Sequence, residues 1–129
     1  MIKFHNSKDI GAPASRYSHG AEAGPGARWL HVSGQVGVDP SGKIVTGIEA
    51  QTERAFRNIE AILRSAGMGF DDVVKITALL LTRDHVPVLR TVRDRLFVKT
   101  APASTLFMVV ALAHPDWLVE IEAVAARQD

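Results

Sequence analysis

The run at residues 73–82 reads VVKITALLLT and restricts the possible folds more than any other part of the chain. It is too uniformly apolar and β-branched for a surface helix, and it predicts a strand buried on both faces near the middle of a sheet. Such a strand needs partners along its edges and cover above and below, so the rest of the chain has to supply both.

The clearest cover lies just before it. Over residues 48–66, Thr52, Ala55, Phe56, Ile59, Ile62, Leu63 and Ala66 recur at spacings of three and four, which predicts an amphipathic helix. Gly67 stands where a left-handed C-cap is expected. Asp84 is positioned to cap a second helix over about residues 85–98. Pro87 is tolerated in its first turn, Val88, Leu89, Val92, Leu96 and Phe97 face inward, and Arg90, Arg93 and Arg95 face water. Residues 16–23 and 27–35 read as a first β-hairpin joined by Gly24-Pro25-Gly26, and Asp39-Pro40-Ser41-Gly42 as a tight turn. Two further strands, 104–112 and 118–126, are separated by His114-Pro115-Asp116. The expected order is β-β-α-β-α-β-β, an α/β (α+β) arrangement in which a mixed β-sheet carries two helices on one face.

Composition fits that picture. The 129 residues match the size of one ordinary domain with no linker dividing it, and 47% apolar with 22% charged residues is enough for a core. Cysteine is absent, which removes disulfides, thiolate metal sites and a cysteine nucleophile. A net charge of +1 with interspersed signs offers no basic stripe, so nucleic acid is not an expected partner. The first nine residues do not read as a secretory signal, and no run approaches the roughly 20 apolar residues of a membrane span. A cytoplasmic protein without a membrane partner is the expectation. The five histidines show no metal-ligand spacing, and neither Gly24-Pro25-Gly26 nor the stretch from Gly34 to Gly37 has a phosphate-loop pattern, so neither a metal nor a cofactor is expected. Ser33 lacks a nucleophile-elbow context, and Trp29 and Trp117 read as packing residues at strand or subunit edges.

Two helices on one face leave the other face bare, yet Leu79, Leu81, Leu106, Phe107, Met108 and Val109 put large apolar groups on both. Each is worth about 1.5 to 3 kcal/mol when buried. Self-association is the economical cover; a loop or the N-terminal segment of the same chain is the alternative.

Four segments in order carry a family resemblance: Arg16-Tyr17-Ser18-His19; Val32-Ser33-Gly34-Gln35-Val36 followed by Asp39-Pro40; the helix with Gln51 and Asn58; and Val119-Glu120-Ile121-Glu122-Ala123-Val124-Ala125. Together they resemble the Rid family, also called YjgF or L-PSP, over nearly the whole chain. The resemblance implies a chorismate-mutase-like (YjgF-like) fold, a homotrimer, and small-molecule clefts between subunits. Active members hydrolyse reactive enamines and imines to a carbonyl compound and ammonia. The resemblance gives Glu120 the role of orienting or deprotonating water, places the Tyr17 hydroxyl in the cleft, and makes Gly34 a point of close backbone approach to ligand. Glu122 shares a strand face with Glu120 and has no assigned role.

At the start of the penultimate strand, deaminating members read Pro-Ala-Arg-Ser, and the arginine pairs with a substrate carboxylate. Here Pro102-Ala103-Ser104-Thr105 puts Ser104 in that place. A hydroxyl cannot reproduce the bidentate clamp, and loss of a charged hydrogen bond costs roughly 1.5 to 3 kcal/mol, about ten- to a hundredfold. Efficient hydrolysis of 2-imino acids is therefore not predicted. If Tyr17 enters the cleft, strand alternation turns Arg16 away and brings His19 to the same side, which makes His19 the expected substitute donor. Thr105 is a further ligand contact, through its backbone. Three readings stay open: a deaminase acting on a small C=N compound, a trimer that binds a metabolite without turning it over, and an L-PSP-type ribonuclease that inhibits translation, against which charge and aromatic content argue.

Overall fold

The computed structural model describes residues 2–129, and among them six strands and two α-helices follow one another as β1 (Ile2–His5), β2 (Gly20–Ala23), β3 (Arg28–Val36), α1 (Ile48–Ser65), β4 (Val73–Leu80), α2 (Val86–Leu96), β5 (Ala103–Met108) and β6 (Val119–Arg127). The main sheet runs β3-β6-β4-β5, with β4 and β5 parallel and the other neighbours antiparallel. It is a mixed α+β fold with both helices on one face, as the sequence predicts.

The helix stripe forms as its spacing requires. Thr52, Ala55, Phe56, Ile59 and Leu63 are buried, and they pack with Leu89 and Val92 of α2 over Ile76, Ala78, Leu80, Ile121 and Ala123 of the sheet. Gly67 takes φ +69°, and the amide of Met68 donates to the carbonyl of Leu63 at 2.9 Å, closing the helix end that Gly67 signals.

Several local expectations are corrected. The first hairpin does not form: β2 pairs with β1, and β3 pairs with β6. A four-residue β2 offers β3 few ladder bonds, whereas the nine-residue β6 offers a full edge and places Val32 opposite Ala123 in the core. The β1 strand is a segment whose polar surroundings hide it in the sequence. Thr82 rather than Asp84 starts the second helical segment; its hydroxyl accepts from the Asp84 amide at 3.3 Å and caps a 3-10 turn ahead of α2. Arg93 does not face water but is 7% exposed. Finally, β4 is an interior strand buried on only one face by its own chain, because Ile76, Ala78 and Leu80 meet the helices while Lys75, Thr77 and Leu79 stay partly open.

The partly open face matches the expectation of a bare side. Cross-strand partners share a face, so it carries Thr77 and Leu79 of β4, Thr105 and Phe107 of β5, and Glu120 and Glu122 of β6. Phe107 on this face is 51% exposed, and Trp29 on edge strand β3 is 55% exposed.

The residues Gln51 and Asn58, which help carry the resemblance, turn out to be ties between loops. Gln51 is buried; its Nε2 donates to the carbonyls of Val45 at 3.1 Å and Asp116 at 2.9 Å, and its Oε1 accepts from the Leu118 amide at 2.8 Å. Asn58 Nδ2 donates to the carbonyls of Val36 and Val38. The turn after β3 is held by Asp39, whose carboxylate accepts from the Ser41 hydroxyl and the Lys43 amide; these bonds keep its carboxyl below the usual range. A Cβ on Gly37 would lie 2.5 to 2.7 Å from Cγ, Cβ and Cα of Gln51. The obstacle includes helix backbone, so Gly37→Ala should cost about 1–3 kcal/mol of stability. Urea unfolding measures it, and an unchanged midpoint would show that α1 yields freely there. Among the described residues no helix is long and apolar enough to cross a membrane.

Candidate functional site

The segment before β2 is fastened to the start of β5. Ser18 forms a parallel bridge with Ala103, its amide donates to the Pro102 carbonyl at 3.3 Å, and its buried hydroxyl donates to the Ala101 carbonyl at 2.5 Å. This clamp brings Tyr17 to Ser104. Both line a cavity of about 200 Å³ between the helices and the β4–β5 edge, roofed by Ala14 and Ser15 and floored by Phe56, Ile76, Ala78, Leu89 and Leu106. From α2, Arg90 and Arg93 complete its wall. Arg16 stands outside this cavity, donating to the Asp94 carbonyl at 3.2 Å.

A second cluster lies on the opposite, open face. Glu120 sits across from Leu79 and Val36, half-buried, and its side chain lies over Gly34. A Cβ on Gly34 would overlap the carboxylate itself and come 2.9 Å from Glu120 Cδ. Within the chain, the space over Gly34 is taken by the Glu120 side chain. A bulge between Val32 and Gln35 adds one residue to β3 here and shifts the register so that Gln35 pairs with Ile121. Glu122 is exposed across from Thr77. Among the described residues neither a cation nor a hydrogen-bond donor pairs with Glu120.

The remaining predicted contacts lie elsewhere. His19 is not a substitute donor in the cavity. Its Nδ1 accepts from the Ser7 amide at 3.0 Å and its Nε2 pairs with the Gly11 carbonyl at 3.0 Å, so both ring nitrogens staple the N-terminal loop. The alternation argument fails because β2 begins only at Gly20, after His19. Thr105 Oγ1 accepts from Lys75 Nζ at 2.6 Å on the open face, away from the cavity wall. Sequence reasoning missed Arg90 and Arg93. Position 93 lies four residues after Leu89 and three before Leu96, so helical spacing alone puts it on the inward stripe; its charge argued the other way. Among the described residues no three His, Asp or Glu side chains gather where a metal ion could be held.

Known proteins extend this geometry. The family model described as Endoribonuclease L-PSP matches residues 8–127. This chain belongs to the Rid (YjgF, L-PSP) family. Within it, the chain is 36% identical over 118 residues to a RutC family protein of Pyrococcus horikoshii, covering 90% of each. It is also 36% identical over 102 residues to a 2-iminobutanoate/2-iminopropanoate deaminase of Mus musculus, covering 78% of this chain and 75% of the mouse protein. Among solved structures, a Rid family protein of unknown function from Yersinia pestis superposes with a TM-score of 0.89 at 29% identity, covering 98% of both chains. The Rid family fold therefore extends over nearly the whole chain.

Proposed function

We propose that this Rid family chain hydrolyses a small imine or enamine to a carbonyl compound and ammonia, in clefts that three copies form between them. The observation that carries the reading is the half-buried Glu120 carboxylate over Gly34, with no partner of its own among the described residues. Such a carboxylate can accept a proton from water as its oxygen bonds to the C=N carbon. The electron pair of the C=N bond moves to nitrogen, which takes up a proton; the resulting amino alcohol then expels ammonia as its C–O bond becomes the carbonyl. Overall, one water is consumed and one ammonia released, and no cofactor is required. The names of relatives such as the mouse deaminase make imines the substrate class to try first.

In one chain Glu120 and the Tyr17 cavity open on opposite faces of the sheet, so the reading needs a neighbour to bring them together. Phe107 and Trp29, exposed on or beside the Glu120 side, give copies an apolar reason to associate. Ser104 favours a second reading, a trimer that holds a metabolite without turning it over, because the β5 position offers a hydroxyl and not a charge. The endoribonuclease reading finds little support in a net charge of +1.

Ammonia release from freshly generated imines, with and without protein at micromolar concentration, tests the proposal. At least a tenfold gain over spontaneous hydrolysis for some member of the panel is expected. Rates equal to the spontaneous ones throughout would leave the binding reading, and sedimentation as a monomer would remove the shared cleft.

A further inference from the structure

Gln51 and Asn58 stand two turns apart on one side of α1, and both bond backbone at the ends of the strands that border Glu120. On the β6 side, Gln51 Oε1 accepts from the Leu118 amide at 2.8 Å and its Nε2 donates to the Asp116 carbonyl at 2.9 Å, which grips the chain just ahead of Glu120. On the β3 side, Asn58 Nδ2 donates to the carbonyls of Val36 at 3.2 Å and Val38 at 3.0 Å, and Val36 is the cross-strand partner of Glu120. Gly37 follows directly and lies so close to α1 that a Cβ there would sit 2.5 Å from Gln51 Cγ.

The ladder between β3 and β6 is weakest at this point. Beyond the bulge that follows Val32, only two pairs continue it, Gln35 with Ile121 and Val36 with Glu120. Such a short run past a bulge opens easily when nothing else holds its ends. Gly34, over which the carboxylate lies, belongs to the bulge itself. Gln51 is 2% exposed, and an apolar side chain in its place would leave the Leu118 amide and the carbonyls of Val45 and Asp116 without the partner they have now. Those strand ends would then move to find others.

We propose that Gln51 and Asn58 are positioning residues for Glu120: through the backbone of Leu118 and Val36, from the helix side of the sheet, they set where its carboxylate lies over Gly34. The proposal rests on the reading of Glu120 as the group that takes a proton from water. Neither amide bonds Glu120 itself; apart from Arg54, whose Nε donates to Asn58 Oδ1 at 3.0 Å, their partners among the described residues are backbone groups. A displacement of about 1 Å in a reacting group can cost on the order of a hundredfold in rate. The loss therefore falls on kcat, while the groups that receive the substrate stay as they are.

The test compares Gln51→Met with Leu63→Ala, a buried truncation at the far end of the same helix that destabilises without touching either strand end. Two quantities are read on folded protein: kcat and KM for imine hydrolysis, and the ¹³C resonance of the Glu120 carboxylate, assigned by its loss in Glu120→Gln. In Gln51→Met, kcat is expected to fall about ten- to a hundredfold with KM within about threefold of wild type, and the resonance to move. In Leu63→Ala both should match wild type despite its lower unfolding midpoint. Should Gln51→Met fail to fold, Asn58→Leu takes its place, with a severalfold loss of kcat and the same displaced resonance expected. An unmoved resonance in the folded amide variant overturns the proposal whatever the rates, and so does an equal displacement in Leu63→Ala, which would make the effect one of general stability. If the wild type turns over no imine, the hydrolase reading falls, and a resonance displaced by the amide variant alone still upholds the positioning of Glu120.

Discussion

Glu120→Gln is expected to slow imine hydrolysis by roughly 10²- to 10⁴-fold, the usual contribution of a positioned acid or base. Glutamine has nearly the shape of glutamate, so the side chain can keep its place over Gly34 and its exposure across from Leu79 and Val36. What disappears is the capacity to take a proton from water. The KM for the imine should therefore stay within about threefold of wild type, since the shape of the side chain is kept. Ammonia release measured over a range of imine concentrations separates the two effects. Equal hydrolysis rates in wild type and variant would remove Glu120 from the chemistry.

The largest stability loss is expected from Phe97→Ala, at about 3–5 kcal/mol. Phe97 follows the last turn of α2 and is buried. Its ring meets Phe56 edge-on at 5.7 Å between centroids and lies 4.6 Å from Phe70, tilted at 47°. Truncation removes apolar burial and two aromatic contacts at once, and it leaves a hole between elements that cannot all close on it. Because Phe56 also forms part of the cavity floor, the loss should loosen the floor as well. Urea unfolding at fixed protein concentration reads the effect, the fixed concentration being needed because association adds to apparent stability. A loss under about 1 kcal/mol would mean that the aromatic cluster repacks without Phe97.

The parts of the fold that were legible in the sequence are those decided by nearest turns and alternate residues. The stripe from Thr52 to Leu63 reads as a helix because its spacing leaves no other regular structure able to bury it, and the alternation through Val119, Ile121 and Ala123 separates the core side of β6 from Glu120 and Glu122. Pairing was not legible. The Gly24-Pro25-Gly26 turn signals a reversal but not which strands it joins, and the partner of β3 lies at the far end of the chain. Of the candidate site, Tyr17 and Ser104 do meet, and Gly34 meets Glu120, but these are two clusters on two faces. His19 was misassigned because a side-chain alternation was applied before the strand begins. Arg93 was missed because charge was allowed to outweigh spacing, and a guanidinium can be buried when something in the fold receives its donors.

The overlap between Gly34 and Glu120 ties two distant positions to one fate. Any larger residue at 34 displaces the carboxylate, and the flexible end of Glu120 can swing aside at little cost to folding but loses its place over the strand. In a library randomised at both sites, selection for folding alone should therefore recover alanine or serine at 34 with glutamate at 120, whereas selection for hydrolysis should recover glycine at 34. Selection for a positioned acidic group at 120 thus acts as selection for glycine at 34, although glycine has no functional group of its own.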